Sequence, residues 1–558
     1  MCIRDRHYNL ATMKNIYLSL ISGLLFTACS LDRTPHDALS TVTFPKTEAD
    51  VEMLAVGCYD GYANQDYTVY NDVFSDNGYC AINTNWAVFA NGTATHAVPG
   101  INWYSYTLIT RCNNFLHQVN TKDIHFSNPK RLEVLKNEVR FLRAWRYYMM
   151  VTAYGDIPLI TEVVPSLEDA KVPATPEDKV VEFILNELND ISKEGALDVT
   201  PKKKGEITRG AALALKVRLC LFYKKYDEVI AAANEIQRLG VYDLYKDGEV
   251  PYAELFKEAN EDNCEIILAV KKVMNDYKNQ TIIEFCNVID GGWSAFVPIQ
   301  SLVDAYEMNN GLTIEEAKAN GEYNPEHPYK NRDPRFYATI LYSGADWMNT
   351  KGEKRIYNTL DRNINGEQNK DHRLDSRNAS QTSYTICKYM NPLTQYSDIN
   401  NTGLDMIVFR YAEILLSKAE AMIEKSSPDL SGATDLIDEI RERAGMPEVD
   451  RAKYNTQAKL RELLRRERRV EFAFEGLRRD DIIRWDIAKD VLNGPIYASN
   501  QGTVNMDPSV PQEERATIFQ GEKNQVILEI RSFKNRYMPI PQTELDKNPK
   551  LEQTNFKM

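Results

Sequence analysis

The chain is poor in the features that announce most catalytic and membrane-spanning proteins. Its N-terminal apolar run, Ile16–Phe26 behind Lys14, is far shorter than the ~20 residues that a bilayer span requires, which leaves the apolar core of a secretory signal. There is no Gly-x-Ser-x-Gly, no His-Glu-x-x-His and no phosphate-binding glycine loop, and the 7 histidines are dispersed. No Cys-x-x-C pair or Cys/His cluster occurs, so a zinc site is excluded on spacing. An excess of positive charge is missing too. A formal net charge of −13 argues against nucleic acid or anionic lipid as the main partner. No Gly/Ser, Pro-rich or like-charge linker divides the 558 residues, so one large body is expected instead of several.

What is present is an ordinary globular composition, 43% hydrophobic and 26% charged, with ample length for a core. The apolar run ends in Leu25-Phe26-Thr27-Ala28-Cys29, a bacterial lipobox pattern in which Cys29 receives lipid after cleavage; the alternative is an uncleaved or conventionally cleaved signal. Translation is read from Met13, so residues 1–12 are set aside as a non-native extension, 13–28 as a lipoprotein signal peptide and 29–40 as a lipidated polar tether. Residues 41–558 form the expected single domain. Apart from Cys2 and Cys29, seven cysteines remain, an odd number that precludes complete pairing and suggests mostly free, packed thiols.

Helical periodicity dominates about 45–240 and 405–490. Leu460, Leu463, Leu464, Val470, Phe474 and Leu477 recur at three- and four-residue steps, predicting a helix from an N-cap at Thr456 to Gly476. The arginines of Glu467–Trp485, ERRVEFAFEGLRRDDIIRW, are interleaved with acids, which predicts local i,i+3 and i,i+4 ion pairs in place of a nucleic-acid face. Glu138–Ile160 is apolar and aromatic nearly all round, a buried helix stopped at Gly155. Another helix covers about 176–193. Two pairs follow a long helix, short turn, alanine-containing helix pattern: 208–240 and 410–445. They resemble tetratricopeptide repeats in design, although the repeat consensus is poorly matched. Between them, about 245–400 is irregular, with a predicted strand at 265–273, and is expected to carry specificity.

Five blocks stand in an order similar to that of the SusD/RagB family: the Cys29 lipobox, Glu138–Ile160, RYAEILLSKAEA with IRERAGMP, the Glu467–Trp485 string, and MPIPQTELDKNPKLEQT at 538–554. The end, NFKM, departs from the family's Asn-Pro-Gly-Tyr-like close. This resemblance implies a mostly α fold: tetratricopeptide-like helix pairs forming a superhelical scaffold with a large, irregular, loop-rich ligand-binding portion. It also implies a cell-surface lipoprotein, anchored in the outer membrane through Cys29, that captures oligosaccharide or polysaccharide for a SusC-like TonB-dependent transporter. No cofactor is implied, and the residues leave a structural calcium undecided.

Binding a glycan in water requires flat apolar faces for sugar C–H groups and amides or carboxylates for hydroxyls. Phe74–Tyr106 is Asn-rich with Tyr79, Trp86 and Trp103, Asp290–Phe296 places Trp293 beside two glycines, and a third loop holds Trp347. The candidate ligand contacts are therefore Trp86, Trp293, Tyr79, Asn77, Asn83, Asn85, Phe296 and Trp347, while Trp103 is read as core. Each aromatic has packing, and each Asn turn formation, as its competing role. Capture of oligopeptides is the alternative function, and glycoside hydrolysis a remote one, since no carboxylate pair is singled out.

Overall fold

The computed structural model describes residues 44–80, 84–520 and 526–556. The lipobox, Cys29, the tether and Asn83 lie outside the described residues. The fold is helix-rich with little sheet. The N-terminal half is built from α1 (Glu48–Tyr59), α2 (Thr107–Thr121), α3 (Pro129–Tyr154), α4 (Glu177–Ile191), α5 (Arg209–Phe222) and α6 (Tyr226–Leu239). The C-terminal half adds α7 (Tyr411–Glu424), α8 (Leu430–Arg443), α9 (Gln457–Glu471) and α10 (Arg478–Arg484). None of the described helices is long and apolar enough to cross a membrane.

Sequence explains these boundaries closely. Helix α3 starts earlier than its aromatic stretch suggested, at Pro129 behind an Asn128 cap, because proline is preset for a first helical turn. It stops at Gly155, whose φ of 75° is open to glycine. Phe141, Trp145, Tyr147 and Tyr148 are all fully buried, so α3 is the central post around which α2, α4 and α5 pack. Helices α5 and α6 form the expected hairpin, with Ala211, Ala212, Ala214, Ala232 and Ala233 buried at their close approach. Helices α7 and α8 repeat it, and α7 bridges α6 to α9.

Two expectations change in the Glu467–Trp485 string. Helix α9 ends at Glu471, short of Gly476, because side chains capture its terminal carbonyls: Tyr252 Oη (2.6 Å) and Arg410 Nη2 (3.0 Å) donate to the Glu471 oxygen, and Lys388 Nζ (3.0 Å) to that of Ala473. Phe474 then turns left-handed at φ 59°. The ion pairs are also mainly tertiary. Glu471 meets Arg335, Arg410 and Arg443; Glu467 meets Arg335 and Arg441; Arg478 meets Asp76; and Arg484 meets Glu420. Only a few pairs, such as Arg484–Asp481, are local. The string is thus an electrostatic hub that ties α8, α9 and α10 to the irregular segment.

That segment hangs on short strands: β1 (Gly78–Tyr79), β2 (Ile266–Val270), β3 (Val297–Pro298), β4 (Asp346–Met348), β5 (Lys354–Ile356) and β6 (Met406–Arg410). They pair antiparallel as β1–β3, β2–β6 and β4–β5. The β2–β6 ladder fixes the two ends of the irregular portion beside each other, so the loops between them project from one anchored base. No disulfide forms among the described cysteines; Cys264 is exposed instead of packed.

Candidate functional site

Three of the expected ligand contacts prove to be interior. Trp86, on a short helix at 84–90, is 3% exposed and stacks on Phe74 (4.9 Å), edge-on to Tyr70 and Phe296. Phe296 lies flat on Tyr70 at 4.1 Å. A ring covered on both faces offers no platform to a sugar, and the gain from keeping these rings buried together explains the arrangement. Asn77 is fully buried; its Oδ1 accepts from Arg469 Nε (3.0 Å) and its carbonyl from Ile299 N (3.1 Å). Trp103 is core, as read. Asn85 is exposed, and Tyr79 is half-buried on β1 opposite Val297.

Trp293 and Trp347 behave differently. A short helix, Thr281–Phe285, is followed by a turn folded back on it: Trp293 N donates to Ile283 O (2.9 Å) and Ala295 N to Glu284 O (2.7 Å). Only glycine fits at 292, where a Cβ would lie 2.1 Å from the Cys286 carbonyl oxygen. Gly291 supplies a φ of 87°. The turn therefore pushes its apex outward, leaving Trp293 38% and Ile289 46% exposed.

Against this turn rests the β4–β5 hairpin. Trp347 and Arg355 are cross-strand partners, and both reach Asp290, which is itself buried. Trp347 Nε1 donates to Asp290 Oδ2 at 2.7 Å, and Arg355 Nη2 to the same oxygen at 2.9 Å. Arg355 also donates to Asn287 Oδ1 (2.6 Å) and Asp371 Oδ2 (3.2 Å), while Asp371 Oδ1 accepts from Ile289 N (3.1 Å). Three chain segments, 286–294, 346–356 and 369–378, are thereby locked around one guanidinium. Burial pushes the Asp371 carboxyl up, with Arg355 pulling against it. The result is a half-buried indole pinned to the same turn that carries the exposed one, with Asp290 as the shared anchor: chemistry suited to a flat, hydroxylated ligand.

Known proteins share this fold. Residues 264–557, more than half of the chain, match the family model described as SusD family, and residues 30–221 match one described as starch-binding associating with outer membrane. The chain belongs to the SusD family. Two curated SusD-like proteins of Formosa agariphila are each 24% identical, over 94% and 88% of this chain and 98% and 95% of their own. A crystal structure of a SusD-like carbohydrate binding protein from Bacteroides fragilis aligns with a TM-score of 0.77 and 27% identity, covering 90% of this chain and 99% of that one. Surface glycan-binding protein A from Bacteroides fluxus shares the fold at 19% identity, with a TM-score of 0.64 over 92% of this chain and 99% of its own. Tetratricopeptide-like helix pairs are the architecture of this family.

Within this SusD-family chain, sequence reasoning missed Asp290, Asn287, Arg355 and Asp371. Asp290 and Arg355 are 65 positions apart, and no local pattern links them. The only signal was the glycine pair beside Trp293. Hollows lie elsewhere, among them one of about 530 Å³ between α2, the 158–171 segment and the helix at 542–547, and one of about 400 Å³ between α1, α3 and β2. Neither contains a tryptophan.

Proposed function

We propose that this protein is a cell-surface glycan-capture lipoprotein, held in the outer membrane through Cys29, that binds oligosaccharide at the Trp293–Trp347 face and delivers it to a SusC-like TonB-dependent transporter. In this reading residues 41–558 act as one binding body on a short tether. The observation that carries it is the hydrogen bond from the Trp347 indole to Asp290, which anchors one indole on the turn that bears the exposed Trp293. Its relative in Bacteroides fragilis bears the description carbohydrate binding, which supports a glycan as ligand. Tyr79 and Asn85, on the neighbouring β1 and the 84–90 helix, are proposed as outer contacts.

Two platforms of this size contribute roughly 1–2 kcal/mol each, about 2–4 kcal/mol together, so the pair alone supports affinity no tighter than about millimolar. Weak capture suits handover, because tethering beside a transporter raises local concentration. Peptide capture would draw on backbone groups free to pair with an extended chain, but the amides of Ile289, Trp293 and Ala295 are already bonded within the protein. Hydrolysis would draw on an acid and a base or nucleophile carboxyl flanking the scissile bond, whereas Asp290 and Asp371 are both bonded to Arg355. The test is affinity electrophoresis and calorimetry of the chain from residue 30 against polysaccharide and peptide panels, with Trp293→Ala and Trp347→Ala. Glycan binding lost in both variants supports the reading; binding to peptides alone overturns it.

A further inference from the structure

The loops that hold Trp347 and the Asp290 turn carry three cations that make no ion pair, in a protein whose net charge is −13. The acids of the same neighbourhood are engaged. Asp290 and Asp371 pair with Arg355, and Asp375 with Arg362. Asp346 pairs with Arg515. The Glu353 carboxylate accepts from Asn349 Nδ2 (2.9 Å), leaving Glu367 as the exposed acid without a bond. In contrast, the side chains of Lys351, Lys370 and Arg373 make no ion pair or hydrogen bond among the described residues.

Their positions follow from the backbone. Lys351 follows Thr350, whose N–H points at Asp290 Oδ1 (3.4 Å), so it sits at the hairpin tip over the turn that presents Trp293. Lys370 and Arg373 flank Asp371, which receives the Ile289 N–H from that same turn. The loop is held firmly, since Asn369 Nδ2 donates to the carbonyls of Asn358 and Asp361, both at 2.8 Å. Lys351 and Lys370 are exposed. Arg373 is half-buried, and burial alone pulls its guanidinium down, with no carboxylate offsetting the cost. A partly desolvated guanidinium without a counter-charge is a standing demand for an anion.

Resting on the glycan reading above, we propose that the ligand is an anionic glycan, whose carboxylate or sulfate groups are met by Lys351, Lys370 and Arg373 while its sugar faces lie on Trp293 and Trp347. The overall negative charge does not forbid this. At physiological salt, fields decay over ~8 Å, so a bound polymer senses the local cations more than the distant acids.

The experiment measures the chain from residue 30 by calorimetry and affinity electrophoresis against polygalacturonate, carrageenan, laminarin, dextran and a peptide mixture, at 50 and 300 mM salt. The variants are Lys351→Ala/Lys370→Ala/Arg373→Ala and Trp293→Ala, each checked for an unchanged melting temperature. Binding to polygalacturonate or carrageenan, weakened about tenfold or more both by salt and by the triple change, is the expected result. Which of the two binds distinguishes carboxylate from sulfate. Equal binding of laminarin or dextran, indifferent to salt and to the triple change but lost in Trp293→Ala, overturns the anionic assignment while the glycan reading stands. Binding to peptides alone, or to none of these, overturns both.

Discussion

The Trp347 indole N–H and the Asp290 carboxylate lie 2.7 Å apart, and that carboxylate is simultaneously held by Arg355 at 2.9 Å. One buried oxygen therefore orients an aromatic ring and fastens two loops. Asp290→Ala should leave Arg355 with one carboxylate fewer and free the ring to rotate. Calorimetry should show glycan affinity reduced about tenfold or more, with a stability loss of about 2–4 kcal/mol from the broken buried pair. Asp290→Asn, which keeps an acceptor for the indole, should retain more binding than Asp290→Ala. Equal loss in both would mean that ring orientation is not what Asp290 supplies.

Trp86 and Trp293 look alike in sequence, each lying in a loop-like stretch, but packing separates them. Trp86→Ala should cost about 3–5 kcal/mol, since it empties a space enclosed by Tyr70, Phe74 and Phe296. Trp293→Ala should change stability by less than about 1 kcal/mol and yet abolish glycan binding. Denaturant unfolding and electrophoresis in a glycan gel read the two effects separately. A stable Trp86→Ala variant that loses binding would reverse the assignment.

These two residues also show what the sequence could and could not tell. Helices α5 and α6 were legible because periodic apolar positions, a Thr208 cap and Gly240 are local signals. The end of α9 was not. Its carbonyls are taken by Tyr252, Lys388 and Arg410, which come from distant parts of the chain. The candidate site divided along the same line. Asp290–Phe296 placed Trp293 beside two glycines, and the structure leaves it 38% exposed, whereas Trp86, read in the same way, is interior. The burial of Trp86, Phe296 and Asn77, and the convergence of Arg355 and Asp371 on Asp290, arise only from tertiary packing.

Gly292→Ala tests whether that turn presents Trp293. The added Cβ would fall 2.1 Å from the Cys286 carbonyl oxygen, a backbone atom that cannot swing aside. The turn must shift, at a cost of about 1–3 kcal/mol, and glycan affinity should fall with it. Gly57→Ala serves as a control, because nothing lies within 4 Å of its Cβ position. Equal binding by both variants would show that the turn is not a rigid mount.

Glu471 is fully buried among Arg335, Arg410 and Arg443. Glu471→Gln keeps the shape but removes the charge facing three guanidiniums, and should cost about 3–5 kcal/mol in chemical unfolding. Glu194→Gln, exposed just after α4, should cost less than about 0.5 kcal/mol. A comparable loss in both would mean that the hub is not electrostatic.

Stability should depend on pH in two opposed ways. Burial penalises the charge of Glu467, Glu471 and Glu475, but their arginine partners, with Lys388 for Glu475, outweigh it and hold all three below the usual carboxylate range. Such groups stabilise the fold above the ordinary carboxyl pKa of about 4.3, and that contribution is lost as pH falls further. Burial acts the other way on Asp72, Glu138 and Glu284, each pushed up to about 7. Their protonated forms suit the fold, so stability declines as pH rises from their unfolded values to about 7, then levels off. Melting temperature should therefore peak at about pH 5, fall below pH 4 and decline again toward pH 7. In Glu138→Gln the decline toward pH 7 should shrink while the acid limb stays. A melting temperature that rises steadily from pH 5 to pH 8 would contradict the assignment of those three raised carboxyls.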